Sequence, residues 1–385
     1  MPPHPSSTSV LVADDQPHVV EALRLLLKLH GYDVQTADSP RTVLAQLDER
    51  SYDVLLLDLN YARDTTSGGE GLDLIGRIRG RDVITPIVVM TAWGGVTLAV
   101  SAMQRGACDF VVKPWDNDRL LAILRTQTEL GRASRRAAQL EATLQHDLQL
   151  ASQVQAQLFP RTRPPLASLD YCGRCRAARV VGGDYFDFIS LQPGRLGLAL
   201  GDVAGKGVSA ALMMATLQAL VRSRIHAAAG DPAALLADVN TLLLESIPSN
   251  RFATFFYGAY DDRERTLAYV NAGHNAPLVR RVDGTIERLE SGDPVLGLMP
   301  HLAFHARTMT LDRGDTLVVF SDGLVDAECD EGAEFGEERV IEILNAVASC
   351  GTADDVLDAI TAAHERFVNG APPQDDVTIV VARGV

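Results

Sequence analysis

The stretch that most constrains this chain is Leu196 to Ala210, LGLALGDVAGKGVSA. Leu196, Leu198 and Leu200 alternate as in a strand, which ends in Gly201-Asp202; a glycine turn follows at Gly205-Lys206-Gly207, and Val208 opens an Ala/Leu/Met helix to about His226. One carboxylate, Asp202, thus sits at a strand tip. Glycines without a Cβ let the backbone there approach something small. A lone carboxylate in a glycine turn is most often a turn former. Three more isolated acids at strand or loop ends change that reading: Asp184 in VVGGDYFDF, Asp322 in VVFSDGLVDA and Asp375 in QDDVTIVV. The turn is not a Walker phosphate loop, which needs four residues before Gly-Lys and a Ser or Thr after it. Here three residues separate Gly201 from Gly205-Lys206, and Gly207 follows.

The 385 residues, 46% hydrophobic, suffice for two domains with proper cores. A net charge of −15 argues against non-specific nucleic-acid or anionic-membrane binding. No apolar run reaches the ~18 residues of a membrane span, and no signal-peptide pattern begins the chain. A cytoplasmic protein with no nucleic-acid or membrane partner is expected. Residues 1–8, rich in Pro and Ser, read as a disordered tail. The five cysteines, Cys108, Cys172, Cys175, Cys329 and Cys350, are scattered. Cys172 and Cys175 have C-x-x-C spacing but no second pair for zinc, and in an extended segment they point to opposite faces, so reduced structural thiols are expected.

Residues 9–128 alternate strand and helix. Buried runs fall at Val10–Ala13, Val54–Leu57, Pro86–Met90 and Phe110–Val112; Val19–Leu29 has helical spacing and stops at Gly31, and a closing helix lies near Asp118–Thr128. This order predicts an α/β doubly wound parallel sheet, with ligands at the carboxyl ends of the strands. Asp14-Asp15, Asp58, Thr91 and Lys113 fall at those ends. Three converging carboxylates call for a divalent cation, and oxygen ligands suit Mg2+. An Asp beside Mg2+ and a Lys can attack a phosphoryl donor, with Thr91 and Lys113 holding the new oxygens. Strand-end acids acting as helix caps would account for Asp14 or Asp116 alone, but not for the Asp, Thr and Lys set together.

VADDQ, LLLDL, VVMTAW and DFVVKPW resemble a two-component response-regulator receiver domain. The resemblance implies Asp58 as phosphoacceptor, Asp14 and Asp15 holding Mg2+ with the Asn60 carbonyl, a cis Lys113-Pro114 bond, Phe110 at an aromatic switch position, and a sensor histidine kinase as partner. The loop after Asp58, NYARDTTSGGEG, departs from the pattern by its length and lacks the common proline. Surface insertions are tolerated.

Residues 129–162 carry a heptad, with Leu130, Ala137, Leu144, Ala151 and Leu158 at one seam position and Ala133, Leu140, Asp147 and Val154 at the other. Pro160 ends it. A helical coiled-coil linker forming a parallel homodimer is expected, with Asp147 as a polar register residue; the competing arrangement is a single helix packed on a neighbouring domain.

Residues 163–385 show longer alternating segments. Strands are expected at Tyr171–Val181, Tyr185–Ile189, Phe252–Tyr260, Thr266–Asn271, Leu278–Val282, Thr316–Phe320 and Val377–Val381. Helices are expected near Ser209–Arg224, Pro232–Ile247, Glu337–Ala348 and Ala353–Phe367. The architecture read from this is α+β, a two-sheet antiparallel β-sandwich flanked by helices. Four acids from distant strands call for cations, Mg2+ or Mn2+ by their all-oxygen donors. Two such ions ~3.5–4 Å apart activate a shared water for in-line attack on phosphorus.

VGGDYFDF, GDVAGKGVSAAL, FATFFYG, NAGHNAPL, VLGL, SDGLVDA and DDVTIVV together resemble the metal-dependent PPM/PP2C serine/threonine phosphatases of the bacterial stress-response and sporulation branch. The resemblance implies that Asp202 bridges two Mn2+ or Mg2+ ions, that the Val203 carbonyl is a ligand, and that Asp184, Asp322 and Asp375 complete the shell, with Asp376 as a substitute for Asp375. Eukaryotic relatives carry a histidine just after the bridging Asp; Val203 stands there, so the leaving-group acid is open. Asn271-Ala-Gly-His274 offers one candidate, although a structural hydrogen bond in a hairpin fits His274 better. The combined expectation is a response regulator whose phosphorylation on Asp58 controls a protein phosphoserine/phosphothreonine phosphatase. By resemblance its substrate is a phosphorylated anti-sigma-factor antagonist. The alternative is a non-catalytic adaptor for a sigma-factor-pathway partner, disfavoured by the survival of all four acids. A transcription factor would need a helix-turn-helix or basic tail, and the chain ends in DDVTIVVARGV.

Overall fold

Buried β-branched and leucine-rich runs at the chain's start form a parallel sheet. The computed structural model describes residues 7–61, 69–92, 96–228, 230–248, 250–329, 332–347 and 351–385. Most of the expected N-terminal tail, the middle of the long loop after Asp58, and Cys350 lie outside these residues. Contacts divide the chain into two units, Met1–Gln145 and His146–Val385.

In the first unit, β1 (Thr8–Ala13), α1 (Pro17–Leu29), β2 (Tyr32–Ala37), α2 (Pro40–Glu49), β3 (Val54–Asp58), α3 (Gly69–Arg79), β4 (Ile87–Ala92), α4 (Val96–Gln104), β5 (Asp109–Lys113) and α5 (Asn117–Ala156) follow one another. The strands pair in parallel in the order β2-β1-β3-β4-β5. Two apolar layers cover the sheet. One joins Val10, Val12, Leu56 and Met90 to Leu23, Leu27, Leu120 and Leu124 of α1 and α5; the other joins Leu11, Leu55, Leu57 and Val89 to Val43, Leu74 and Ile78. α1 starts with Pro17 in its first turn, and Gly31 at φ +83° follows its end. Ser39 and Thr42 form a capping box at α2.

The expected closing helix runs much further than residue 128. α5 is one helix of 40 residues. Its first turns are buried through Leu120, Leu121, Leu124, Thr128 and Gly131. Arg132 grips Asp53 through Nε and Nη2, both at 3.1 Å. Beyond Arg135 its seam residues are open to solvent, Leu140 and Leu144 being 72% and 60% exposed. A coiled coil is not formed by the single chain, and one seam assignment changes. Leu158 lies past the helix end and packs on the second unit's core.

The second unit contains β6 (Leu169–Arg176), β7 (Tyr185–Gln192), β8 (Arg195–Val203), α6 (Val208–Arg224), α7 (Pro232–Ser246), β9 (Ala253–Asp261), β10 (Thr266–Ala272), β11 (Leu278–Arg280), β12 (Ile286–Arg288), β13 (Arg307–Thr310), β14 (Thr316–Phe320), α8 (Asp322–Val325), α9 (Gly336–Val347), α10 (Ala353–Val368) and β15 (Val377–Gly384). Two antiparallel sheets form, β13-β10-β9-β8-β7 and β12-β11-β14-β15-β6. Their inner faces share one core, with Phe186, Phe188, Leu198, Leu200 and Phe256 facing Tyr171, Leu317, Val319 and Val380. Met213, Met214, Leu217, Leu235 and Leu236 of α6 and α7 cover the outer face of the first sheet. Val340, Leu344, Val356 and Ile360 of α9 and α10 cover the second.

The expected strand 171–181 stops at Arg176, because the chain from Ala177 leaves the sheet to reach the acids at the sandwich end. β12 and β13 are short edge strands whose alternation is too brief to read. Cys172 packs on the helix-facing core and Cys175 against the inner core, so the pair faces opposite ways. Burial pushes the Cys172 thiol up to about 12. Cys108, Cys172, Cys175 and Cys329 are free thiols.

Candidate functional site

The carboxyl ends of β1, β3, β4 and β5 gather the first unit's polar residues. Asp14 and Asp58 are buried, and with Asp15 they offer oxygens that all lie within 4.8 Å of one another. Lys113 Nζ stands 2.6 Å from Asp14 Oδ2 and 2.9 Å from Asp58 Oδ2. Burial pushes the Asp58 carboxyl up, with Lys113 opposing; burial would depress the Lys113 ammonium, but the two carboxylates outweigh it and its pKa is raised. The Leu59 backbone N–H donates to Asp58 Oδ1 at 2.8 Å. Thr91 is buried beside them, its hydroxyl donating to the Ala92 carbonyl at 3.1 Å. Lys113–Pro114 is cis, and Phe110 is half-buried against the apolar layer that contains Val43, Leu74 and Ile78. Asp15 Oδ1 and Asn60 Oδ1 are buried without a hydrogen-bond partner. Orphaned oxygens beside two buried carboxylates are a donor set suited to a hard divalent cation.

The second unit's acids reach one end of the sandwich by different routes. Asp202 sits near the end of β8, opposite Thr254 of β9. Asp184 is delivered by the loop between β6 and β7. Asp322 is the first residue of α8 rather than a strand end, and Asp375 precedes β15. Burial pushes the Asp202 carboxyl up to about 7, helped by the charges of Asp322, Asp375 and Asp376. Burial raises Asp184 strongly, with Asp202 next among the causes. Asp322 is raised by burial and by Asp375. Mutual elevation means that these carboxylates share a field that a cation would relieve. Asp184 Oδ2 is buried with no partner, a donor left for an ion. Among the described residues, these acids contain no trio as tight as that of the first unit.

The backbone around them is fixed by neighbours, among them Asp376, which was expected as a substitute for Asp375. Asp376 Oδ1 accepts the Ala178 N–H at 2.7 Å, and its Oδ2 accepts the Gly183 N–H at 2.6 Å. Its carboxylate therefore holds the loop that carries Asp184. Asp375 instead meets Lys206 Nζ at 2.8 Å, and Lys206 also donates to the Gln374 carbonyl at 2.7 Å. A Cβ at Gly183 would stand 3.0 Å from the Val203 carbonyl oxygen, so glycine leaves that carbonyl room at the site. Gly205, at φ +113°, lies under Arg251, whose guanidinium donates to the Ala204 carbonyl at 2.7 Å.

Two acidic or basic-looking neighbours belong to the scaffold. Asp187 is fully buried, bonded to Tyr185 OH at 2.9 Å and to Arg222 Nε and Nη2 at 2.7 and 2.8 Å. His274 is buried, its Nδ1 lying 2.8 Å from Thr254 Oγ1, and its backbone N–H donates to Asn271 Oδ1 at 2.8 Å. Burial pushes its imidazole down to about 4. Beside Asp322 and Asp375 opens a cleft of ≈ 140 Å³ lined by Lys206, Arg176 and His364. No helix among the described residues is long and apolar enough to cross a membrane.

Comparison with known proteins bears on both units. The profile of Stage II sporulation protein E (SpoIIE) matches residues 192–384, and that of the response regulator receiver domain matches residues 10–125. Asp202, Asp322 and Asp375 fall within the first match; Asp184 lies ahead of it. Protein IcfG of Synechocystis is 28% identical over 260 residues, 61% of this chain and 41% of its own length. The chain thus spans less than half of that relative. Phosphoserine phosphatase RsbU of Bacillus subtilis is 26% identical over 251 residues, 63% of this chain and 72% of its own. Among solved structures, the SiaA-PP2C domain of Pseudomonas aeruginosa superposes with a TM-score of 0.56 at 23% identity, over 64% of this chain and 98% of that one, which shows the shared fold. The RsbU and RsbW domains of a Mycobacterium tuberculosis protein superpose with a TM-score of 0.51 at 26% identity, over 59% of this chain and 63% of that one. With half of its length matched by that profile and a receiver domain preceding it, the chain belongs to the SpoIIE family of PP2C-type phosphatases.

Proposed function

We propose that this protein is a cytoplasmic response regulator whose output is metal-dependent hydrolysis of phosphoserine or phosphothreonine in a partner protein. A sensor histidine kinase transfers its phosphoryl group to Asp58. Asp14, Asp15 and the Asn60 carbonyl would hold Mg2+ there, while Lys113 and Thr91 would hold the phosphoryl oxygens. In the second unit, Asp202, Asp184, Asp322, Asp375 and the Val203 carbonyl are the residues that would hold Mn2+ or Mg2+. Such ions supply Lewis acidity and lower the pKa of bound water. The chain's own residues do the rest. The four acids supply the donors, Gly183 leaves room for the Val203 carbonyl, and Lys206 sets the position of Asp375. The similarity to the phosphoserine phosphatase RsbU supports a phosphoserine substrate; the anti-sigma-factor-antagonist class is what the motif resemblance implies. The exposed apolar seam of α5 supports a homodimer formed through the linker.

The observation that carries this reading is the meeting of Asp184, Asp202, Asp322 and Asp375 from separate elements at one end of the sandwich, with Asp184 Oδ2 buried and without a partner. The test is hydrolysis of a phosphoserine peptide by the full chain with Mn2+, with and without beryllofluoride to mimic phosphorylated Asp58. Wild-type activity should require Mn2+, change several-fold with beryllofluoride and fall at least ~10³-fold in Asp202→Asn. Activity indifferent to Asp202→Asn would overturn the assignment of the site. A rate unmoved by beryllofluoride would overturn the control by Asp58.

A further inference from the structure

The last turn of α5 touches the loop that carries Asp184. Gln155 Nε2 donates to the Gly182 carbonyl at 2.7 Å, and the Gly182 N–H donates back to Gln155 Oε1 at 3.0 Å. One side-chain amide thus pairs with both backbone polar groups of one glycine. Among the side chains, a primary amide offers a donor and an acceptor side by side in this way, as otherwise only a protonated carboxylic acid does. On its other side Gly182 lies against Asp376, whose Oδ2 would be 2.4 Å from a Cβ placed there. The same Oδ2 accepts the N–H of Gly183 and, at 3.4 Å, that of Asp184. The loop is therefore held between Gln155 and Asp376, two residues before Asp184.

The chain just after Gln155 is anchored as well. The Leu158 carbonyl accepts from Gln218 Nε2 of α6 at 3.5 Å, and the Phe159 ring lies 5.3 Å from that of Phe186. Gln155 itself is half-buried, whereas Gln153 and Ala156 beside it are exposed. The end of α5 is thus docked on the sandwich through one polar side chain aimed at the site.

We infer that Gln155 is a positioning residue, which fixes the 178–184 loop and so sets where Asp184 presents its carboxylate to a metal. This rests on the reading of Asp184 as a ligand. Removing outer partners that orient metal ligands typically costs about 10–100-fold in metal affinity. The geometry is also sensitive to the helix. Sliding α5 by one residue's rise of ~1.5 Å breaks both bonds at once.

The test uses the full chain with Gln155→Leu, which removes both bonds, and Gln155→Glu, which keeps the acceptor and sets a carboxylate against the Gly182 carbonyl. Gln153→Ala is the control. Two readouts are taken: the Mn2+ concentration giving half-maximal phosphatase activity, and amide hydrogen exchange across 178–184 in metal-free protein. In Gln155→Leu the half-maximal Mn2+ concentration should rise ~10-fold, while KM for p-nitrophenyl phosphate at saturating Mn2+ stays within ~2-fold. Exchange at 178–184 should speed up without change in the sandwich strands. Gln155→Glu should show the same shifts, and Gln153→Ala neither. Unaltered Mn2+ dependence in Gln155→Leu, with the wild type Mn2+-dependent, overturns the inference alone. A wild type with no Mn2+ dependence overturns the reading of Asp184 and this inference with it, and unaltered exchange removes the clasp itself.

Discussion

The Asp376 carboxylate accepts the backbone N–H of Gly183 at 2.6 Å, while its neighbour Asp375 turns to Lys206 at 2.8 Å. Of the two consecutive acids, Asp376 is committed to backbone donors and Asp375 is not. Asp376→Ala leaves the Ala178 and Gly183 N–H groups unpaired and should cost about 2–4 kcal/mol of stability. Asp375→Asn should lower Mn2+-dependent turnover at least ~10²-fold with a stability change under about 1 kcal/mol. Urea unfolding and phosphopeptide kinetics on both variants check this. The reverse pattern would exchange their roles.

Lys113 is placed between Asp14 and Asp58, both buried. Replacing it by alanine leaves two buried carboxylates facing each other. Lys113→Ala should lower stability by roughly 1–3 kcal/mol, and millimolar Mg2+ should restore most of it. Thermal unfolding with and without Mg2+ measures this, and loss with no Mg2+ rescue would contradict the cation assignment. Asp58→Asn should abolish labelling by a small-molecule phosphodonor.

Much of this was legible in the sequence, and the exceptions have physical causes. The parallel sheet was readable because strands buried on both faces, such as Val54–Leu57, are apolar at every position. Asp184, Asp202 and Asp322 stood out in the sequence because each is an isolated acid beside a glycine at the edge of an apolar run. Asp375 and Asp376 were not separable, since two adjacent acids differ only in which backbone groups they meet. The helical linker was readable from its heptad, but not that it continues the closing helix without a break or that it stops at Ala156. Leu158 fitted the heptad by spacing but follows the helix end and serves the core. Gln155 gave no signal, since a glutamine on a polar helix reads as surface. The role of Asp187, within the motif that supplies Asp184, shows only from its bonds to Arg222 and Tyr185.

The seam of α5 exposes Leu140 and Leu144 to water. Such a row is costly to leave uncovered and suits a second copy of the same helix. Sedimentation equilibrium of the full chain should show a dimer, and Leu140→Glu with Leu144→Glu should shift it to monomer. A wild-type monomer at tens of micromolar would contradict the linker dimer.

His274 is buried and its imidazole is held down to about 4, against 6.5 in the unfolded chain. Below pH 6.5 the unfolded state binds the extra proton. Its contribution to stability is therefore full above pH 6.5 and is lost as pH falls toward 4, by at most about 3 kcal/mol. His274→Gln should flatten this part of the pH–stability curve in urea titrations from pH 4 to 7. An unchanged slope would mean that His274 titrates normally.

The central claim is that Asp184, Asp202, Asp322 and Asp375 hold a pair of metal ions. Anomalous diffraction from manganese-soaked crystals of the full chain measures this directly. The account predicts two manganese peaks about 3.5–4 Å apart, bridged by Asp202 and reached by the other three acids. A map with no manganese among these four carboxylates, while the Asp14–Asp15–Asp58 site is filled, would contradict it.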